Sequence, residues 1–306
     1  MKELDISAFR PIELSDIELF KELFNAHPQL HSDYTFTTMV CWQSFMKCYF
    51  AEMGDSIIIM TKQPEHIQFR PPIGLNNPEL IEQVVKLAIK YGTEPPLGMI
   101  DADAKKRLKG LYPNLAFEPD RNYFDYVYSA KDLTDLPGKK YIKIRNMLNR
   151  FKRKYDYELE PICDNNVDEV EEFLTRWCLW KDCDKEPLLK YEKNAVLYCI
   201  EHYLELHLSG LAIRIDGNIE AASIFEKLNK NTAVIHFEKA IVDFEGLYQT
   251  INQEAANLLA SEHEFINRES DMGVPGLRLA KEKYQPHHLV EVFHIDKTQM
   301  NNIYKV

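Results

Sequence analysis

The chain has 306 residues, 45% of them apolar and 28% charged, and a formal charge of −11. That length suggests about two domains, since a single core stops growing near ~250–300 residues. The totals describe an ordinary globular chain and exclude a disordered, fibrous or membrane-spanning one: the longest apolar runs, such as Ile57 to Met60, fall far short of the ~18 residues that a span needs.

The N-terminal MKELDISAFRP lacks the apolar stretch of a secretory leader. The six cysteines, Cys41, Cys48, Cys163, Cys178, Cys183 and Cys199, form no CxxC pair. They are expected to be reduced thiols of a cytoplasmic protein whose membrane contact, if any, is peripheral. No metal site is expected, because Cys178 and Cys183 have no nearby pair of histidines.

In chain order, FRPIEL reads as a short strand. Ser15 and Glu18 then form an S-x-x-E pattern before Leu19, Phe20, Leu23 and Phe24, which predicts a capping box and a helix. Tyr34 to Phe45 is aromatic-rich and helical or irregular. Cys48–Met53, Gly54-Asp55 and Ser56–Thr61 predict strand, turn, strand. Ile67–Arg70 is a further strand. Pro78 opens a helix reaching Tyr91, with Leu80, Ile81, Val84, Val85, Leu87 and Ala88 at helical spacing. A strand at Leu97–Ile100, a helix at Ala104–Leu111 and a strand at Tyr123–Tyr128 complete the first half.

Lys139 to Tyr155, KKYIKIRNMLNRFKRKY, is the most distinctive stretch. Tyr141, Ile144, Leu148, Phe151 and Tyr155 recur in steps of three and four, which puts them on one helical face. Lys139, Lys140, Lys143, Arg145, Arg150, Lys152, Arg153 and Lys154 supply eight cations with no Asp or Glu among them. Taking those eight from the total of −11 leaves −19 on the rest of the chain. The stretch is either a solvated helix face or a polyanion site docked through its apolar stripe.

Strand Tyr157–Pro161 and helices Asn166–Trp180 and Ala195–Leu206 follow. The order of the first half then returns: a hairpin over Leu211–Ile215 and Glu220–Leu228, a strand Ala233–Ile241, a helix Gly246–Ser261, a strand Phe265–Asn267, a helix Pro275–Lys283 and a strand Leu289–Ile295. An acidic residue follows the strand in each half, Asp101 and Asp271. A Tyr and a Pro follow the next helix, Tyr112-Pro113 and Tyr284 with Pro286. This predicts a duplication and a mixed α+β chain with antiparallel hairpins. The boundary is expected in the Thr134–Gly138 turn, giving domains 1–136 and 137–306.

The element order resembles the GNAT acyltransferase fold in tandem, each copy a mainly antiparallel sheet flanked by helices. The resemblance implies a donor seated where the fourth strand splays from the fifth, its phosphates on the next helix N-terminus, where N–H groups and the dipole attract anions. That helix begins near Gly246. The Q/R-x-x-G-x-G/A loop is absent there, and Asp243 and Glu245 stand where they would repel a diphosphate. KIRNMLNRFKRKY, HFEKAIVDFEGLYQTINQE and FINRESDMGVPGLRLAKEKYQPHHLVE together resemble the phosphatidylglycerol lysyltransferase C-terminal domain family, which is related to the Fem aminoacyl transferases.

What the resemblance implies is a transferase moving an acyl or aminoacyl group from aminoacyl-tRNA or an acyl-CoA-type co-substrate, with no tightly bound cofactor. The acceptor would be an amine or hydroxyl of a small molecule, lipid headgroup or peptide. The site is expected in the second copy, the first being degenerate. The flippase half of the lipid-modifying enzymes is not in this sequence.

Alternation along Ala233–Ile241 is expected to put His236 and Glu238 on one face, with Glu238 the favoured base and His236 its rival. Either could instead be an ordinary sheet-surface group. Tyr284 is a candidate acid or a packed ring. Arg268 and Asp271 follow a strand end, where open sheets bind ligands. Arg268 could equally pair with Glu269, and Asp271 could cap a helix. Arg278 and Lys281 meet phosphate or solvent. Asn252 lies one turn into its helix, and Tyr248 stacks on a base or joins the core. Lys143, Arg145, Asn146, Arg150 and Arg153, with Gly246, complete the candidate donor-binding set. The alternative from another class is a non-catalytic binder of an anionic ligand or RNA.

Overall fold

A computed structural model describes residues 3–304. The chain forms two compact units, Met1–Phe124 with Val290–Val306, and Asp125–Leu289. The division therefore falls at Phe124/Asp125, ahead of the Thr134–Gly138 turn, and the chain's end returns to the first unit.

The first unit contains strands β1 (Arg10–Pro11), β2 (Lys47–Met53), β3 (Ser56–Gln63), β4 (His66–Phe69), β5 (Leu97–Ile100) and β6 (Glu118–Pro119). Its helices are α1 (Ile17–Ala26), α2 (Phe36–Cys41), α3 (Pro78–Tyr91) and α4 (Ala102–Leu111). The Glu13 and Asp16 side chains form the capping box before α1, in place of the expected Ser15 and Glu18. Asp16 also accepts hydrogen bonds from Arg10 Nη1 and Nη2, at 3.0 and 2.7 Å, which holds the box two residues early. Helix α3 runs as its periodicity predicts: Asn77 caps Leu80 N–H, Pro78 needs no N–H, and the six apolar side chains are buried. They close over Ile58, Phe69, Leu97 and Ile100.

The second unit contains β7 (Asp125–Ser129), β8 (Glu158–Pro161), β9 (Ser209–Ile215), β10 (Asn218–Lys227), β11 (Thr232–Ala240), β12 (Phe265–Asn267) and β13 (His288–Val290). Its helices are α5 (Ala130–Asp135), α6 (Ile142–Lys154), α7 (Val167–Lys181), α8 (Pro187–Glu201), α9 (Leu247–Leu259) and α10 (Pro275–Glu282). Strand β14 (Phe293–Ile295) and helix α11 (Lys297–Asn302) belong to the first unit.

The sheet orders are β1-β2-β3-β4-β5-β14-β6 and β13-β7-β12-β11-β10-β9-β8. β4 pairs with β5, and β11 with β12, in parallel, within sheets whose other described pairs are antiparallel. The two topologies match strand for strand, with one exchange. Tyr123–Tyr128 was expected to close the first sheet and Leu289–Ile295 the second, but β7 lies beside β12 and β14 beside β5. The core contacts account for it. Tyr126 and Tyr128 are sealed into the second unit's core, and Phe293 and Ile295 into the first unit's.

Candidate functional site

The parallel pair of the second unit opens into a wedge. β11 pairs with β12 only from Thr232 to Val234, opposite Phe265 to Asn267. β12 then stops, while β11 stays paired with β10 as far as Ala240. Parallel strands that part in this way leave main-chain groups and side chains facing a crevice at the strand ends.

A bulge sets which side chains enter it. Phe237 lies opposite Ile224 and Ile235 opposite Phe225, so His236 has no cross-strand partner. One extra residue inverts the alternation beyond it. Glu238 therefore joins the face of Ile235 and Ala240 that looks towards α9, and His236 takes a partner from the other side. The expectation that both share a face fails for this reason.

The Glu238 carboxylate accepts from Arg268 Nη2 at 2.8 Å and from Asn252 Nδ2 at 3.2 Å. The Glu238 side chain is 8% exposed and that of Arg268 16%. The guanidinium lies over the Tyr284 ring, 5.1 Å from its centroid. Burial pushes the Tyr284 phenol above its ordinary value, against the pull of Arg268, so it stays protonated. Two polar atoms around Glu238 make no hydrogen bond: Asn252 Oδ1, and Ser223 Oγ on the residue directly across the ladder. Buried orphans of this kind are uncommon and mark places where a ligand or water completes the set.

His236 is clamped. Its Nδ1 meets Glu269 and its Nε2 meets Glu226, each at 2.8 Å. Burial alone would lower its pKa, but the two carboxylates overcome this and push it up to about 10. An imidazolium with both nitrogens engaged cannot accept a proton, so His236 holds structure instead of acting as a base. Burial raises the Glu269 carboxyl, opposed by His236.

The loop after β12 is fixed from below. Lys281 Nζ donates to the carbonyls of Arg268, Glu269 and Ser270 at 2.6, 3.0 and 2.6 Å. Burial pulls its pKa down to about 8. Asp271 is fully buried; it accepts both Arg278 Nε and Nη2, the Tyr126 hydroxyl and Gly273 N–H. Burial acts to raise its pKa, but these donors hold it well below the usual carboxylate range. Asn267 spans Asp125 and Glu269 N–H. Glu269 and Met272 adopt positive φ, which the clamps sustain. Lys281 and Arg278 thus meet protein groups, not phosphate.

The rest of the expected donor set is spread over α6 and the start of α9. Lys143, Asn146 and Arg153 are exposed on α6. Arg150 pairs with Glu245 at 3.0 Å in the open. Arg145 donates to the Leu136 and Gly138 carbonyls and ties the turn before α6. Gly246, at φ +95°, presses on α6: a Cβ there would stand 2.5 Å from the Met147 carbonyl oxygen and 3.0 Å from Phe151. The start of α9, where phosphate was expected, therefore packs tightly on α6 at Gly246. Tyr248 packs against the core, its phenol raised by burial.

Sequence reasoning missed Glu226, Ser223, Asn267, Asp125 and Tyr126. Glu226 was within reach: counting back from the Leu228–Thr232 turn brings it opposite Val234, two residues from His236. Among the described residues no group of three His, Cys, Asp or Glu side chains is disposed to hold a metal ion, and no helix is long and apolar enough to cross a membrane.

Two sheets of matching topology, each with a parallel pair that parts, give this chain a tandem GNAT-like fold of the kind that acyl and aminoacyl transferases use. Residues 24–295 match the family described as phosphatidylglycerol lysyltransferase, C-terminal, and the chain belongs to that family. A conserved protein of unknown function from Bacteroides thetaiotaomicron is 28% identical, with TM-score 0.86 over 94% of this chain and 99% of that one. A C-terminal domain assigned to a lysylphosphatidylglycerol synthetase of Agrobacterium fabrum superposes with TM-score 0.66 at 16% identity, over 94% and 95% of the two chains. FemX does so with TM-score 0.53 at 9% identity, over 97% and 100%. An uncharacterized protein of Mycoplasmoides gallisepticum is 24% identical over 170 residues, 55% of this chain and 54% of its own length, so the match spans about half of that relative.

Proposed function

We propose that this protein transfers an aminoacyl group from a charged tRNA to an amine or hydroxyl acceptor, in the wedge between β11 and the end of β12. The observation that carries the reading is Glu238, a carboxylate held in that wedge between Arg268 and Asn252. Ile241 N–H bonds Glu220 O on β10, so alternation turns the Glu238 N–H towards the side that β12 has left. A carbonyl placed there receives a main-chain donor of the oxyanion-hole kind.

In the reaction, the acceptor's nitrogen or oxygen attacks the ester carbonyl carbon while its proton passes to Glu238. The ester C–O bond then breaks, and the leaving ribose oxygen takes a proton. Tyr284, kept neutral by burial, is the candidate donor. Arg268 balances Glu238 and faces the developing negative charge.

A coenzyme A-type donor fits less well. Its diphosphate would need the start of α9, which abuts the Met147 carbonyl and carries Glu245 alongside. The name borne by the Agrobacterium protein supports lysine as a first amino acid to try and a phosphatidylglycerol headgroup as a first acceptor. The test offers the protein radiolabelled aminoacyl-tRNA or acyl-CoA, each with lipid, peptide and small-amine acceptors. The reading expects label to leave tRNA only when protein and acceptor are both present. Transfer from acyl-CoA alone would overturn the choice of donor.

A further inference from the structure

The first unit carries its own wedge, and that wedge is open. β4 and β5 pair only at Phe69 and Leu97. Beyond this the β4 chain stays bonded to β3, through Arg70 N–H to Ile59 O and the Ile57–Ile73 bridge, while β5 ends and Asp101 caps α4. Between the diverging chains lies a cavity of about 400 Å³. That is within the range of small-molecule sites.

Besides residues 26–30 at the end of α1, which include His27 and Gln29, its walls are of two kinds. Tyr34, Pro71 and Pro72 give an apolar side, and the prolines have no N–H to leave unsatisfied. Opposite them, Asp101, Asp103 and Arg107 project from the first turns of α4. Arg107 Nε is buried without a hydrogen bond, and its nearest carboxylate oxygen, Asp103 Oδ2, is 3.9 Å away. The Asp101 carboxylate gives one oxygen to Ala104 N–H at 2.7 Å.

A purely anionic ligand would meet two carboxylates, and a purely cationic one would meet the guanidinium. A ligand with both an ammonium and a carboxylate satisfies both ends. We propose that this cavity binds a zwitterion of the amino-acid class, carboxylate on Arg107, ammonium towards Asp101 and Asp103, and side chain against Tyr34 and the two prolines. The inference stands independently of any transfer chemistry in the second unit.

Calorimetric titration of the full chain with the free amino acids tests it, each against the amine lacking the carboxylate and the acid lacking the ammonium. One or more amino acids bind saturably, and both truncated analogues bind at least about tenfold more weakly, as loss of a charge-assisted pair implies. Arg107→Gln weakens the amino acid by a similar factor and leaves the amine analogue unchanged. Arg107→Lys, which keeps the charge, retains part of the affinity and serves if the Gln variant fails to fold. No saturable binding by any amino acid at millimolar concentration overturns the proposal. So does a truncated analogue that binds as tightly, or an Arg107→Gln protein with unchanged affinity.

Discussion

Arg268 Nη2 and Glu238 Oε1 meet at 2.8 Å, bringing the chain just past β12 against the middle of β11 where the two strands have parted. Both side chains are largely buried, so each depends on the other for its charge. Arg268→Ala leaves an uncompensated carboxylate and is expected to cost about 3–5 kcal/mol, read from the urea midpoint at constant m-value. A change within half a kcal/mol of zero would mean that water reaches Glu238 freely.

The His236 clamp has a pH signature. Its folded pKa is raised, so the stabilisation is complete below the unfolded value near 6.5 and is lost as pH rises through about 10. Between those limits the wild type should lose stability relative to His236→Asn, which has no proton to give up. Denaturation curves at successive pH values test this through the difference between the two proteins. That comparison cancels groups such as Lys281, whose lowered pKa works in the opposite direction.

Asp271 gives the opposite prediction at the acid end. Its folded pKa is depressed, so its contribution is present above the unfolded value near 3.8 and disappears as pH falls further. Asp271→Asn should unfold more readily at neutral pH and converge on the wild type in strong acid. Hydrogen exchange should show the loosening first in 268–274, the loop that Asp271 and Lys281 hold.

Gly246→Ala tests the packing of α9 on α6. The added methyl meets the Met147 carbonyl oxygen at 2.5 Å and requires φ near +95° of an alanine. A loss of about 1–3 kcal/mol is expected. An unchanged midpoint would show that Gly246 is not packed tightly on α6.

If tRNA lies along α6, the contacts come from its free cations. Among the described residues Lys143 and Arg153 pair with no carboxylate, whereas Arg150 and Lys152 are engaged by Glu245 and Glu254. Replacing Lys143 and Arg153 with Gln should flatten the slope of log affinity against log salt by about 2, at up to one ion per contact. The same change at Arg145 should act on stability instead, because its guanidinium holds two carbonyls of the preceding turn.

Most elements were legible in the sequence because periodicity is local. α3, β9 and β11 lie within a residue or two of their expected bounds, and α6 within three. The start of α8, at Pro187 and not Ala195, was not legible, nor was α5, and two further features stayed hidden for physical reasons. The exchange of β7 and β14 between sheets is a choice between two apolar cores, and a short strand reads alike for either. The bulge at His236 is one residue of register, invisible to alternation, yet it decides which carboxylate faces the wedge. Glu238, Asn252, Arg268 and Tyr284 were all singled out, and the structure brings them together. His236, Asp271, Arg278 and Lys281 stand near them in supporting roles, because a cation or carboxylate in a sequence does not disclose that its partner is already in the protein.

The account turns on Glu238 as the group that takes the acceptor's proton. Single-turnover transfer from aminoacyl-tRNA, followed in wild type and Glu238→Gln with tRNA affinity measured alongside, tests this most directly. The expected result is unchanged affinity with transfer slowed by about 10²–10⁴. Transfer by the Gln protein at the wild-type rate, with folding and binding intact, would contradict it.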